Sequence, residues 1–386
     1  MLNPGPMIIT ATPYQWSDPS RTPRRQWLYG RHLLRRFLSS TVAPGGTGKS
    51  SLALVDAVAM AAGRNLVGSS PAGPLGVWYW NFEDPLEEIE RRLAAICMQY
   101  GIKHADLEGR LFINSGRDTP IVIATDTPQG LHIDTVVLQR IRQQIEELEI
   151  DVLMLDPFVA THGVSENDNA KINLVLQMWA KLTDLTEIAI DVTHHVRKGQ
   201  SGQGVFTTED GRGASAFRDA VRSSRVLNGM SKDEGEKAGV ANHRTYFRVE
   251  NGKANLCLPP DKADWFHLTS VSLGNGEPND PDGDSVGVVT PWQWPDPSAD
   301  VTAADFVAVA QVVRRKPWRE NRQAADWVGL AVAEALNLSI AIKAEKAKIV
   351  ALLKMWFEHG SLRVVDGLDP KGMPRKFVEV SDAFDE

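Results

Sequence analysis

The sequence predicts an α/β fold built on a mostly parallel, twisted sheet with a phosphate-binding loop, and three observations carry that prediction. The segment Ala43-Pro-Gly-Gly-Thr-Gly-Lys-Ser50 has the glycine spacing and the Gly-Lys-Ser ending of such a loop, with Ala43 where the strict pattern has glycine. From residue 37 to about residue 200, β-type runs alternate with helical ones, as repeated βαβ units do. Within that stretch, Ile150–Leu155 reads as an apolar strand of the kind buried in a parallel sheet.

Each element follows from local chemistry. Residues 1–30 are rich in Pro, Arg and Trp and read as irregular, with Trp27, Leu28 and Tyr29 as packing anchors. Phe37–Val42 is the β-prone run into the loop, and Ser51–Met60 is the helix leading out. Gly76–Asn81 reads as a strand, then Leu86–Gly101 as a helix with Leu86, Ile89, Leu93, Ile96 and Met98 along one face. Ile133–Leu148 and Ala170–Leu185 read as helices, and Glu187–Thr193 as a strand. Arg244–Val249 and Ala254–Leu258 alternate on either side of Asn251-Gly252, which predicts a hairpin turn there.

Residues 273–300 are loaded with Gly, Pro, Asp and Asn and predict a linker. The expected organisation is therefore an irregular segment 1–30, a phosphate-loop domain 31–272, the linker, and a small domain 301–386. In the last, Asp305–Val313, Asn321–Leu336 and Ala344–His359 read as helices, with Ser361–Val365 and Lys376–Val380 as a terminal hairpin. Three helices and a hairpin predict a winged-helix-like module. Arg314-Arg-Lys316, Arg319 and Arg322 form its basic cluster, and Lys371, Arg375 and Lys376 sit on the expected wing. Residues 301–386 nevertheless carry 13 Lys and Arg against 12 Asp and Glu, a net of +1, so DNA binding and protein docking both stay open.

Composition narrows the setting. The 386-residue chain has a net charge of −7, which excludes a globally basic nucleic-acid binder and leaves local basic loops or a ring lumen for such contacts. Two cysteines, Cys97 and Cys257, lack metal-type spacing, so a reducing, cytoplasmic setting is expected. No apolar run approaches the roughly 18 residues of a membrane span, and the start lacks the pattern of a signal peptide.

The loop sets out the chemistry. In the loop Pro44–Gly48, Gly45, Gly46, Thr47 and Gly48 would wrap backbone amides around the phosphates of a nucleoside triphosphate, and the helix N-terminus at Ser50 and Ser51 adds a favourable dipole. Lys49 reaches the β- and γ-phosphates, and the Ser50 hydroxyl can hold Mg²⁺. Val152-Leu-Met-Leu-Asp156 is an apolar strand ending in an acid, where the Mg²⁺-coordinating aspartate of such folds sits. In Trp80-Asn-Phe-Glu-Asp-Pro85, Glu83 is placed to position the water that attacks the γ-phosphate, and Asp84 to cap the helix that follows.

The ordered set Ala43–Ser50, Trp78–Pro85, Val152–Phe158, Asp191–Lys198 and Arg212–Leu227 resembles the RecA-like ATPases. More closely, it resembles the RepA-type hexameric plasmid helicases and their phage and mobile-element relatives, over roughly residues 25–260. The resemblance implies a RecA-type core in a homo-hexameric ring, with Mg²⁺-ATP bound between subunits and single-stranded DNA as partner. It assigns Lys49 and Ser50 to phosphate and metal, Asp156 to the metal and Glu83 to the attacking water. Of the pair His194 and His195, one would sense the γ-phosphate and report to DNA-facing loops, with His195 favoured. Arg222 holds the place of an arginine finger acting on the neighbouring subunit, with Arg212, Arg218 and Arg225 as competitors, and Lys253 resembles a second basic residue acting in trans. Thr161–Lys171 and Arg197–Phe206, continuing through Thr207–Gly213, resemble the DNA-facing loops, with Arg197 and Lys198 as phosphate contacts. A ring-forming helicase or translocase is the implied function, an initiator or loader could dock on the C-terminal module, and an ATP-switched DNA-binding regulator or loader is the alternative. A nucleotide kinase also uses such a loop, but the paired histidines and the Arg212–Arg222 segment have no place in one.

Overall fold

The computed structural model describes residues 10–196, 205–207, 210, 216, 219–258, 260–278, 281–296 and 298–381. Arg197, Lys198, Arg212 and Arg218 lie outside the described residues.

A short antiparallel pair, β1 (Trp27–Tyr29) and β2 (Leu33–Leu34), opens the core. Leu28 and Tyr29 are buried there, so two of the expected anchors pack, although as a strand and not as irregular chain. β3 (Leu38–Ala43) follows with all six residues buried, and it delivers the chain to the phosphate loop. α1 (Lys49–Ala62) is apolar on nearly every side because it is covered on every side, by the sheet beneath it and by later elements above. Gly63, at φ 65°, ends it in the left-handed conformation that glycine adopts without strain.

β4 (Val77–Asn81) is fully buried. On α2 (Leu86–Tyr100), Ile89 and Ile96 are buried, but Leu86 and Met98 are exposed, so the apolar stripe is narrower than the sequence predicts. α3 (His104–Leu107) and β5 (Leu111–Ser115) come next, then the hairpin β6 (Ala124–Thr127) and β7 (Gly130–Ile133). α4 (Thr135–Glu147) starts where the Asp134 carboxylate accepts two amides of its first turn. β8 (Val152–Asp156) is the buried apolar strand, and β9 (His162–Gly163) pairs with β6. α5 (Asn169–Thr186) is capped by Asp168, and β10 (Ala189–His195) ends on the paired histidines.

β11 (Ser223–Gly229) and a short helix (Lys232–Ala238) lead into β12 (Tyr246–Ala254), β13 (Asp264–Ser272) and β14 (Ser285–Trp292). Together they complete a nine-stranded sheet in the order β14-β13-β12-β11-β3-β10-β8-β4-β5. Strands from β11 to β5 are parallel, whereas β12, β13 and β14 extend the sheet antiparallel.

Two sequence expectations fail in this extension. Asn251-Gly252 is no turn: β12 runs straight through it, and the pairing skips from Ser224–Lys253 to Arg225–Asn251, leaving Gly252 as the extra residue of a β-bulge. The turn falls instead between β12 and β13. Likewise, the 273–300 stretch is not only a linker, because β14 lies within it and pairs with β13 along its full length. Tyr100 donates to the Val289 carbonyl at 2.6 Å, fastening β14 to α2.

The C-terminal residues build a separate apolar cluster around Val309, Trp318, Val332, Leu352 and Trp356. A helix (Ala303–Val313), β15 (Trp318–Arg319), two helices (Val328–Leu336 and Lys343–Glu358) and the hairpin β16 (Leu362–Leu368) and β17 (Pro374–Val380) make it up. The middle helix is shorter than predicted. Residues 321–327 are spent on turns closed by Ala324 N–H to Asn321 C=O and by Trp327 N–H to Ala324 C=O. No helix among the described residues is long and apolar enough to cross a membrane.

Candidate nucleotide site

The loop between β3 and α1 is shaped by two glycines. Gly46 and Gly48 sit at φ 77° and 94°, where a side chain would be strained. A Cβ at Gly48 would also come within 3.3 Å of the Phe247 ring. The Thr47 hydroxyl donates to the Pro44 carbonyl at 3.0 Å and closes the loop. Gly48 then caps α1 without a side chain, so the first-turn amides remain turned toward the loop. Ala43, standing in for the first glycine, is fully buried as the last residue of β3 and pairs with His195. The small side chain satisfies a packing demand there.

Parallel register gathers the acids and histidine beside this loop. Asn81, Asp156 and His195 end β4, β8 and β10, and the pairing places Asn81 beside Asp156 and His195 beside Ala43. Lys49, only 5% exposed, holds its Nζ 3.4 Å from Asp156 Oδ1 and 3.4 Å from His195 Nε2. Asp156 in turn accepts from the Tyr79 hydroxyl at 3.0 Å and from the Thr193 hydroxyl. Burial, with the nearby Asp156 charge, pushes the Tyr79 phenol well above its ordinary range, which keeps it a donor.

Glu83 faces the same point. Its Oε1 lies 3.7 Å from His195 Nε2, and its amide is held by the Asn81 side chain at 2.9 Å. Burial and the Lys49 charge lower the His195 pKa, so the ring is neutral near pH 7. Asp84 does not cap α2: Pro85 occupies the cap position, and the Asp84 carboxylate pairs with Arg92 at 2.8 Å.

Asp156 is buried against Lys49, and Lys49, Glu83 and His195 together with the loop line a cleft of about 540 Å³. Its far wall is Leu268 of β13 and Asp284–Gly287 at the start of β14. Arg91 of α2 bridges the walls, with Nε 3.0 Å from Asp284 and a terminal nitrogen 2.7 Å from Glu88. The period-two pattern of Asp264–Ser272 was the available signal for β13. A Gly- and Pro-rich surrounding masked β14.

The donor set fits a nucleoside triphosphate with its metal. Open loop amides and the Lys49 ammonium suit phosphate oxygens, and the Ser50 hydroxyl with the Asp156 carboxylate suits a hard divalent cation. A family model described as an AAA domain matches residues 7–201, a span that contains the loop, Glu83, Asp156 and both histidines. The chain belongs to the AAA-domain family. That places it among P-loop ATPases, which bind ATP, generally with Mg²⁺. The match ends before β11, so the antiparallel extension that walls the cleft lies beyond it.

Outside the matched part of this AAA protein, the two arginine candidates among the described residues, Arg222 and Arg225, separate cleanly. Arg225 is 8% exposed and bound within its own chain: Nε donates to Thr41 at 2.8 Å and a terminal nitrogen to Asp56 at 2.6 Å. It cannot reach a neighbour without leaving a buried network. That network continues from Thr41 to Asp191 at 3.0 Å, from Asp191 to His32 at 3.2 Å, and from Asp56 to the Tyr29 hydroxyl at 2.8 Å. Burial raises the Asp191 carboxyl, but His32, Arg225 and Thr41 outweigh it and leave the pKa below the ordinary value. Arg222, by contrast, is exposed.

Arg222 lies beside Leu38 at the start of β3, with its N–H 3.0 Å from that carbonyl. The phosphate loop leaves the other end of β3, roughly 17 Å away at about 3.3 Å per residue. Arg222 therefore does not line its own cleft. Lys253 is cross-strand from Ser224, so strand alternation puts it on the same sheet face as Arg222. Of the two loops compared with DNA-facing loops, Thr161–Lys171 is pinned: β9 pairs with β6, and Lys171 is 2.6 Å from Asp126 and 3.3 Å from Asp168. His194 is buried, with its ring edge against Phe158. Phe206 exchanges two hydrogen bonds with Asn228, at 2.7 and 2.9 Å, and packs on Val42, Val196 and Val226.

Proposed function

We propose that this AAA protein is a RecA-like motor of the RepA-type hexameric helicase class, which hydrolyses Mg²⁺-ATP to move along or unwind single-stranded DNA. One observation carries the reading. Lys49, His195 and Glu83 line one cleft, with Asp156 buried against Lys49, while exposed Arg222 stands away from that cleft in its own chain. Such a division of parts suits a site completed by a neighbouring subunit in a ring.

In this reading Lys49 and the loop amides would hold the phosphates, and Ser50 with Asp156 would hold the metal. Glu83, at 3.7 Å from His195, orients the attacking water. Neutral His195 touches both Lys49 and Glu83, so a change in charge at the phosphates alters its partners directly. It ends β10, and the chain then enters the Arg197–Lys198 segment, which would carry that change to DNA. Arg222 and Lys253 would stabilise charge in the neighbour's cleft. The order helix, strand, two helices and hairpin, with the sheet order β15-β17-β16, supports a winged-helix module at the C-terminus.

The test is ATPase rate with and without single-stranded DNA, alongside mass in the presence of ATP. A motor is stimulated by single strands and assembles into a ring of about six chains. Unchanged turnover, no strand separation on a forked duplex, and ATP-dependent assembly on duplex DNA would instead establish the switch.

A further inference from the structure

The C-terminal residues carry two basic surfaces, and the core occupies one of them. Helix Lys343–Glu358 lies against helix Lys232–Ala238 of the core. Lys343 is 3.1 Å from Asp233 and 2.7 Å from Glu236, and Lys348 is 2.6 Å from Asp300. Those lysines already have their counter-charges.

The opposite side of the terminal hairpin is arranged differently. Leu362, Val378 and Val380 turn inward to the apolar cluster. Alternation then turns Arg363, Val365, Phe377 and Glu379 outward. These four residues and the 314–317 turn enclose a groove of about 690 Å³. Arg314, Arg315, Lys316 and Arg363 line it, all exposed, against Asp366 and Glu379. Lys316 is held in place by the Trp318 ring, 4.0 Å from its centroid. Two of the guanidinium pairs are solvent-screened: Arg363 is 46% exposed in its 3.4 Å contact with Glu379, and Arg315 is 62% exposed in its contact with Glu334. Exchanging such partners for phosphate costs little. A row of exposed cations over half-buried Val365 and Phe377 suits a repeating anion.

We infer that this groove binds the phosphate backbone of a nucleic acid, and that it, not helix Lys343–Glu358, is where the C-terminal module holds the strand. The inference rests on the reading that the chain works on nucleic acid. Because its contacts are to phosphate, it is independent of base sequence and steeply dependent on salt.

Fluorescence anisotropy on the full chain tests it, with random single-stranded and duplex oligonucleotides of about 30 residues titrated between roughly 50 and 200 mM salt. Arg314→Ala/Arg315→Ala/Lys316→Ala/Arg363→Ala should weaken binding at least about 10-fold. It should also reduce the log K against log salt slope by about 2.8 to 3.6, since each of four phosphate contacts contributes about 0.7 to 0.9. The difference between the single-stranded and duplex arms identifies which form is held. Lys343→Ala/Lys346→Ala/Lys354→Ala should leave affinity and slope unchanged, and the groove variant should keep basal ATPase and its Tm. Unchanged binding by the groove variant, with DNA-stimulated turnover intact, overturns the groove alone. Equal loss in the helix variant, or preferential capture of polyglutamate, also overturns it. Wild-type protein that binds no nucleic acid overturns both readings.

Discussion

Replacing Arg225 with alanine should cost this fold far more than replacing Arg222, although the two share one stretch of chain. The Arg225 guanidinium is 9% exposed, donates to Thr41 at 2.8 Å and pairs with Asp56 at 2.6 Å. Asp56 is itself 2% exposed, so removing the arginine strands a carboxylate that keeps the Tyr29 hydroxyl but loses its positive partner. Asp191, 3.9 Å away, loses part of its compensation as well. Breaking a buried pair on one side typically costs about 3–5 kcal/mol, because the remaining charge is uncompensated. At roughly 2–4 °C per kcal/mol for a domain of this size, Tm should fall by roughly 10 °C. Urea denaturation followed by tryptophan fluorescence measures the loss, and Asp56→Ala with the double variant completes a cycle whose coupling should exceed about 1 kcal/mol. Arg222→Ala, at an exposed position, should leave Tm nearly unchanged. An Arg225→Ala variant as stable as wild type would refute the buried network and return Arg225 to the candidates for a trans-acting arginine.

Lys49→Ala should abolish turnover, whereas Glu83→Gln should keep ATP bound and slow hydrolysis by about 100-fold or more, measured by nucleotide binding beside steady-state rate. Arg222→Ala subunits should bind ATP yet hydrolyse poorly, and mixing them with Lys49→Ala subunits should restore some activity, because each supplies what the neighbouring site lacks. Failure to complement in rings shown to be mixed would place Arg222 outside the neighbour's site. Burial lowers the pKa of His32, His162 and His195, so the unfolded chain binds more protons below its ordinary histidine value of about 6.5. Stability is therefore fully held above about pH 6.5 and lost as pH falls toward the folded values. A Tm that stays flat from about pH 7.5 to 5.5 would contradict neutral buried histidines.

The side of the cleft that carries the loop, Glu83 and His195 was legible because its residues end strands that neighbour one another in the sheet and each carries a local pattern. Glycine spacing marks the loop, an apolar run ending in acid marks Asp156, and the residues around Glu83 close a strand. What closes the cleft from the other side was not legible. Leu268 and Asp284–Gly287 act through long-range antiparallel pairing, whose register no local pattern records. Asn251-Gly252 misled for the same reason: the dipeptide that favours a tight turn also tolerates a bulge, and the β11 partner decided between them. The network around Arg225 was equally hidden. His32, Asp56, Asp191 and Arg225 come from four distant segments, and nothing in their spacing brings them together.

That network has a mechanical consequence for the proposed ring. β10 carries Asp191 and Thr193, which alternation places on one face; Thr193 donates to Asp156 in the cleft, and Asp191 holds His32 and Thr41. β11 carries Arg225 into the same network and begins immediately after Arg222. Asp56 of α1 pairs with Arg225 of β11, which lies 3.9 Å from Asp191 of β10, so both strands are tied to the helix that follows the phosphate loop. In such a ring, the loop of one site and the arginine offered to the next would both be fixed to one buried, charge-paired platform. Close-packed interiors move as bodies rather than stretch, so displacement of α1 by the phosphates would carry β11 with it. Burying four ionisable groups is expensive when uncharged packing would serve stability better. Keeping them is intelligible if the fold must hold Arg222 at a fixed distance from its own phosphate loop, as a ring whose sites fire in relation to one another requires.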